Sequence, residues 1–196
     1  KRISSSYTKS YQKRLIMALE EYRDPILKEL IEMLEEYGPE ELKGHYHYGD
    51  VLAPNKSELP VVSVAKQGTV VKSDGTMLDT HTTSIVMAII YDWTQDLDQS
   101  FDLVRGSNGL YELCEGREED DTSPNYLYVR DDTLVYAIQN HQKLADNLFI
   151  SIGDEGLLVD YGLGWEKRGT NIFSVEGILR FNIQLTQARA NLYSTA

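Results

Sequence analysis

Two histidines stand two residues apart in Gly44-His-Tyr-His-Tyr-Gly-Asp50. Imidazoles at that spacing reach one metal only from an extended backbone, with Asp50 as the third ligand such a site needs. The competing reading of His45 and His47 is a connecting loop whose histidines and tyrosines pack at an interface. Four consecutive carboxylates, Glu118, Glu119, Asp120 and Asp121, are a second place for chemistry. A divalent cation needs several of them aimed at one centre, whereas adjacent like charges repel and favour an exposed loop from Gly116 to Asn125. Cys114 sits beside Leu113 with no serine or histidine close by in sequence, which fits a small buried hydrophobe better than a nucleophile. Gly153-Asp-Glu-Gly156 has no basic residue or phosphate-binding glycine pattern and reads as a hairpin connection between Leu148–Ile152 and Leu157–Tyr161. Gly162, Gly164 and Gly169, with Lys167 and Arg168, lead into a strand rather than a helix, so their amides cannot form a helix-terminus anion site. These residues form no catalytic motif, and the expectation is a protein without enzymatic activity, cofactor or metal.

Composition sets the frame for that expectation. The chain has 196 residues, 41% hydrophobic and 26% charged, enough for one good-sized domain. Its lone cysteine excludes an internal disulfide or a cysteine metal cluster and points to a reducing compartment. Apolar runs are too short to span a membrane, and the polar N-terminal residues do not resemble a secretory leader. Charge is unevenly placed: Lys1, Arg2, Lys9, Lys13 and Arg14 precede the first acid, Glu20, so five positive charges stand against −17 in the remainder. An acidic body disfavours general nucleic-acid binding, because phosphate contacts need basic surface. The basic arm is a candidate for docking on a partner; a solvated terminus is the alternative.

The elements that position these residues begin with a helical stripe from Tyr7 to Tyr37. Ile16, Leu19, Ile26, Leu30, Met33 and Tyr37 recur at helical spacings, widened by Leu15, Leu27, Ile31 and Leu34. Asp24-Pro25 interrupts it, either as a kink or as the cap and first turn of a second helix, and Gly38-Pro39 ends it. Residues 1–44 thus form a basic arm and helical segment, and 45–196 a single sheet domain. Pro60 to Lys66 is a strand, Asp74-Gly75 a hairpin turn, and His81 to Trp93 a strand apolar on both sides, as in a central strand covered on both faces. Asp96 to Gly116 reads as a helix facing inward through Leu97, Phe101, Val104, Leu110 and Leu113, and Asp131-Asp132 caps a short helix carrying Leu134, Ile138, His141, Leu144 and Ala145.

The longest strand pattern is Glu176 to Arg189. Leu179, Phe181, Ile183 and Leu185 alternate with Arg180, Asn182, Gln184 and Thr186, so one face is greasy and the other rich in amides and hydroxyls. That polar face is a candidate subunit interface. The order of elements predicts an α+β fold: a mainly antiparallel sheet flanked by helices, with a long amphipathic N-terminal helix.

The N-terminal helix, the LPVVSV and TTSIVMAIIY strands, the helix around 96–116 and the closing EGILRFNIQLTQAR strand together resemble the tail-terminator and neck proteins of tailed bacteriophages. The long acidic loop and the helical N-terminus of about 30 residues depart from the smallest members. The resemblance implies a structural virion protein, assembled in the host cytoplasm, whose homo-oligomeric ring, usually a hexamer, terminates the tail tube and joins it to the head connector. Its partners would be the tail tube protein and connector proteins, with DNA passing through without specific binding. The alternatives are a small metal-dependent hydrolase or nuclease using acids such as Asp154, Glu155 and Asp160, and an accessory module docking one partner through Tyr111, Tyr126 and Tyr128.

Overall fold

The computed structural model describes residues 24–49, 54–73, 78–92, 94, 108–120, 123–152, 156–162, 166–168 and 172–188. In chain order its elements are α1 (Pro25–Tyr37), β1 (Tyr46–Tyr48), β2 (Val61–Ser73), β3 (Leu78–Asp92), α2 (Asn108–Cys114), β4 (Arg117–Asp120), β5 (Ser123–Val129), α3 (Leu134–Asn140), β6 (Lys143–Ala145), β7 (Leu148–Ser151), β8 (Leu158–Tyr161), β9 (Glu166–Arg168) and β10 (Ile172–Ala188). The arm residues Lys1, Arg2, Lys9, Lys13 and Arg14, and the helix expected before Asp24, lie outside the described residues.

Asp24 starts α1 because its carboxylate accepts the amides of Ile26 at 3.0 Å and Leu27 at 3.4 Å, while Pro25 occupies a position where a helix has no use for an amide proton. The stripe Leu27, Leu30, Ile31, Met33 and Leu34 is buried. Gly38 closes the helix by donating to the Leu34 carbonyl at 2.8 Å. A side chain there would meet the Leu34 carbonyl and the Tyr46 hydroxyl, both 2.5 Å from a Cβ, so the position requires the smallest residue.

The main sheet runs β1-β2-β3-β10-β7-β6, with β8 and β9 also paired to β10; β1 with β2 is parallel and the other pairs are antiparallel. The architecture is therefore mixed α/β with an antiparallel-dominated sheet. β3 and β10 form its axis, in register from Ser174 opposite Asp92 to Ala188 opposite Leu78. On one face the rows Val62-Ile89, Val64-Met87-Leu179 and Ile85-Phe181, then Ile183, are buried with the α1 stripe, Leu110 and Cys114 of α2, and Leu134, Val135 and Ile138 of α3. Leu179, Phe181 and Ile183 are inward as the period-two pattern requires, and Leu185 packs at the margin.

Several local expectations are corrected. Strand Pro60–Lys66 and the first arm of the expected hairpin form one long β2, with a register shift between Lys66 and Gly68 that lets it continue past the core, while Leu78 of the second arm opens β3, which pairs back on β2; the turn residues Asp74 and Gly75 lie outside the described residues. The acidic stretch is not a loop: β4 pairs with β5, Arg117 opposite Val129 and Glu119 opposite Leu127, because Tyr-Leu-Tyr-Val offers a strong strand former within hairpin reach. α2 is described only from Asn108. α3 starts at Thr133, whose hydroxyl accepts the Tyr136 amide at 3.2 Å, rather than at Asp131-Asp132, and it ends at Asn140, so Leu144 and Ala145 belong to β6. β7 and β8 do not pair with each other. Both lie along β10, opposite 182–185 and 177–180, because a 17-residue strand offers more edge than either short strand can fill.

Candidate functional site

The second face of the main sheet differs from the first. Alternation along β10 places Arg180, Asn182, Gln184 and Thr186 on it, and register adds Val86, Ala88, Ser84 and Thr82 from β3, Ala65, Gly68 and Val70 from β2, Leu158 and Asp160 from β8, and Phe149 and Ser151 from β7. Arg180, Asn182 and Gln184 are half-buried and Thr186 is exposed. The three described helices pack on the opposite, core side.

This face is neither polar nor apolar throughout. Val70, Leu158 and Phe149 are 59%, 51% and 40% exposed, large apolar groups set among amides and hydroxyls. Ser84 donates to the Asn182 carbonyl oxygen at 2.9 Å, which fixes that amide and leaves its NH₂ group for another acceptor. Arg180 reaches Asp160 at 3.8 Å, a loose pair between largely solvated groups. Thr186 exchanges its backbone groups with Asn147, donating to the Asn147 carbonyl and accepting from its side-chain amide, both at 3.0 Å. Sequence alternation found the polar members. The apolar members were legible one by one, since Phe149 lies between the inward Leu148 and Ile150, but only pairing along β10 brings Phe149 and Leu158 to one face.

One end of the second face is closed. Ile90 packs there with Leu59 and Val61, and Ser63 and Ser174 are buried. Asp92 is fully buried; its carboxylate accepts the Thr94 amide at 3.0 Å and hydroxyl at 2.7 Å, and Lys56 lies 3.2 Å away. Burial alone would raise the Asp92 carboxyl, but the Thr94 hydrogen bonds and Lys56 outweigh it and hold the group below its ordinary value. The expectation that β3 is covered on both faces is thus met at Ile90 and not at Val86 and Ala88, which are half-buried. The turn residues 54–60 are too few to cover the whole strand.

The other candidates are dispersed. His45 Nδ1 sits 2.8 Å from the Glu58 carbonyl and tethers a turn, while His47 is exposed on β1. Asp50, Asp154, Glu155 and Asp121 lie outside the described residues, and among those described no three His, Cys, Asp or Glu side chains gather as a metal site. Cys114 is fully buried, and burial pushes its thiol up to about 12, which is the behaviour of a packed hydrophobe. Beside it Tyr161 donates to Glu115 at 3.1 Å. His141 is the residue that ends α3 and stacks on Tyr37 at 3.6 Å between ring centroids, a packed histidine at the rim of a groove of about 410 Å³ between α1 and residues 140–144. Glu35 is turned inward to cap the Gly44 amide, and burial raises its carboxyl despite that bond.

No protein-family model matches the chain, and no curated protein matches it.

Proposed function

We propose that the protein is a ring-forming structural component of a tailed phage, a tail terminator or neck protein whose subunits associate through the second face of the main sheet. The observation that carries this reading is the composition of that face. Val70, Leu158 and Phe149 are exposed among Arg180, Asn182, Gln184 and Thr186, a mixture of apolar anchors and hydrogen-bonding groups suited to a protein partner. A closed ring requires a heterologous contact, in which this face meets a different patch on the next copy. The basic residues Lys1, Arg2, Lys9, Lys13 and Arg14 supply a second contact, docking on an acidic neighbour such as the outer surface of α1, where Glu32 and Glu36 are exposed. The net charge of −12 would let DNA slide through the ring without adhering.

Light scattering of the purified protein, paired with negative-stain images, tests the reading. Closed rings of about six copies, unchanged by chelator, are the expected result. A monomer at high concentration whose melting temperature rises with a divalent cation would replace it with the metal-dependent hydrolase or nuclease. Removing residues 1–14 should weaken assembly in a salt-sensitive way, strongly at low salt and less at higher salt, where screening, over about 8 Å at physiological ionic strength, already weakens the arm's contact in the intact chain. Intact assembly after that deletion would remove the arm from the interface.

A further inference from the structure

β2 has an open edge. Beside it β1 pairs only with Val62 to Val64, and among the described residues no strand pairs with β2 on that side beyond Val64. Two hydrogen bonds show which residues of β2 turn their backbone that way: the Val62 amide donates to the His45 carbonyl, and the Val64 carbonyl accepts from the Gly49 amide, both at 2.9 Å. Val62 and Val64 stand opposite Ile89 and Met87, so those β3 residues turn their own groups away from β2. Alternation along β3 carries the same orientation to Thr83, His81 and Asp79. Their partners Thr69, Val71 and Ser73 therefore present amide and carbonyl to the open side, while Gly68, Val70 and Lys72 turn theirs toward Ser84, Thr82 and Thr80.

This edge suits another strand. Gly68 to Ser73 are exposed, with Val70 59% and Val71 57% open on its two faces. Sheet edges are ordinarily guarded by a bulge or by charge. Here the bulge lies at Lys66 to Gly68, at the start of the stretch, and Lys72 is the one charge between Gly68 and Ser73. Antiparallel pairing with a second copy about Val71 sets Val71 against Val71, Val70 against Lys72 and Thr69 against Ser73. Every outward-turned residue then meets another, the aliphatic stem of Lys72 lies along Val70, and two small hydroxyl residues face each other. Moving the register by two residues one way sets Lys72 against Lys72, and the other way sets Ser73 against the bulged Gln67. β2 also carries no carboxylate, so a protein of net charge −12 brings no acids together along this strand pair.

We propose that the β2 edge from Thr69 to Ser73 docks the same edge of a second copy, the two strands joining antiparallel about a two-fold axis at Val71. The contact is closed at two copies and is made through backbone groups of the edge. It is separate from the heterologous contact of the ring and does not rest on it.

Cysteine cross-linking in the full-length chain reads the register. Chains carrying Val71→Cys, Thr69→Cys or Ser73→Cys are oxidised singly, and the last two also as a mixture, and run on non-reducing gels. Cys114 does not compete, being fully buried. In the proposed pair the two Val71 Cα atoms lie about 5.5 Å apart, within the disulfide range of about 4.4–6.8 Å, and Thr69 faces Ser73 in the same way. Thr69 lies about 14 Å along the strand from its own copy. The expected result is a two-chain band for Val71→Cys and for the mixture, and its loss for Thr69→Cys or Ser73→Cys alone. Equal bands from all samples, or none from Val71→Cys, would overturn the proposal; the second is also the result if another segment or another protein occupies the edge. Val71→Pro removes an amide that faces away from β3, so it should keep the wild-type melting profile. Added to the Thr69→Cys and Ser73→Cys chains it should abolish the mixed band, and a band that survives it would count against strand pairing. Repeating the Val71→Cys oxidation with Arg180→Glu and Gln184→Glu separates this contact from the ring. The band should persist there whether or not the wild type forms rings, and its loss would overturn the edge pairing.

Discussion

Phe181 and Arg180 are neighbours in one strand and differ in which way the pleat turns them, yet they live in different surroundings. The face that Phe181 joins is filled from above by α1, α2 and α3, and each apolar residue of β10 from Leu179 to Ile183 is at most 4% exposed. The face that Arg180 joins holds residues of comparable apolar character, Val86, Ala88 and Leu158, that stay partly in water. One face is specified by this chain alone. The other is left partly exposed among the described residues, and that is why a function by assembly is the reading we propose for it.

The comparison is sharpened first by truncation in the covered face. Phe181→Ala should cost about 3–5 kcal/mol, and Ile183→Ala about 2–5 kcal/mol, because a cavity opens between sheet and helices that rigid backbone cannot close. Chemical denaturation measures both. A loss below about 1 kcal/mol would mean that the strand register is shifted by one residue, which exchanges the two faces.

A smaller effect is expected where the second face is closed by Asp92. Its folded-state carboxyl titrates below the unfolded value of about 3.9, so it contributes stability above that pH, and the contribution is lost as pH falls through the depressed folded value. Asp92→Asn should remove this acid dependence and cost about 1.5–3 kcal/mol near neutral pH, the usual worth of hydrogen bonds to a charged group. Melting temperatures of both proteins across pH 2–7 decide the matter; parallel curves would show that Asp92 does not hold this end closed. Least of all should change on the open face. Asp160→Asn removes a 3.8 Å pair with Arg180 between mostly exposed side chains and should shift subunit stability by less than about 1 kcal/mol.

Much of the covered face was legible in the sequence. The alternation through Leu179, Phe181 and Ile183 and the stripe from Leu27 to Leu34 identify inward residues by period alone, and Asp24-Pro25 and Gly38-Pro39 mark the ends of α1 through local chemistry. What escaped depends on pairing between distant segments. Leu148–Ile152 and Leu157–Tyr161 look like two arms of a hairpin, but β10 is a longer template than either is for the other. The acidic stretch looks like a loop by charge and becomes a strand because of β5. For the candidate interface, the polar half of the pattern was readable in Arg180, Asn182, Gln184 and Thr186. Its apolar half required the register that sets Val70, Phe149 and Leu158 on the same side.

The most direct test of the account is the mass in solution of Arg180→Glu combined with Gln184→Glu, measured by light scattering beside thermal unfolding. Two added acids on the proposed interface of an already acidic protein would oppose association by repulsion while leaving the covered face untouched. The account predicts a wild type that forms closed rings and a double variant that melts like the wild-type subunit but stays monomeric. A folded double variant that still assembles to the full wild-type mass would contradict it.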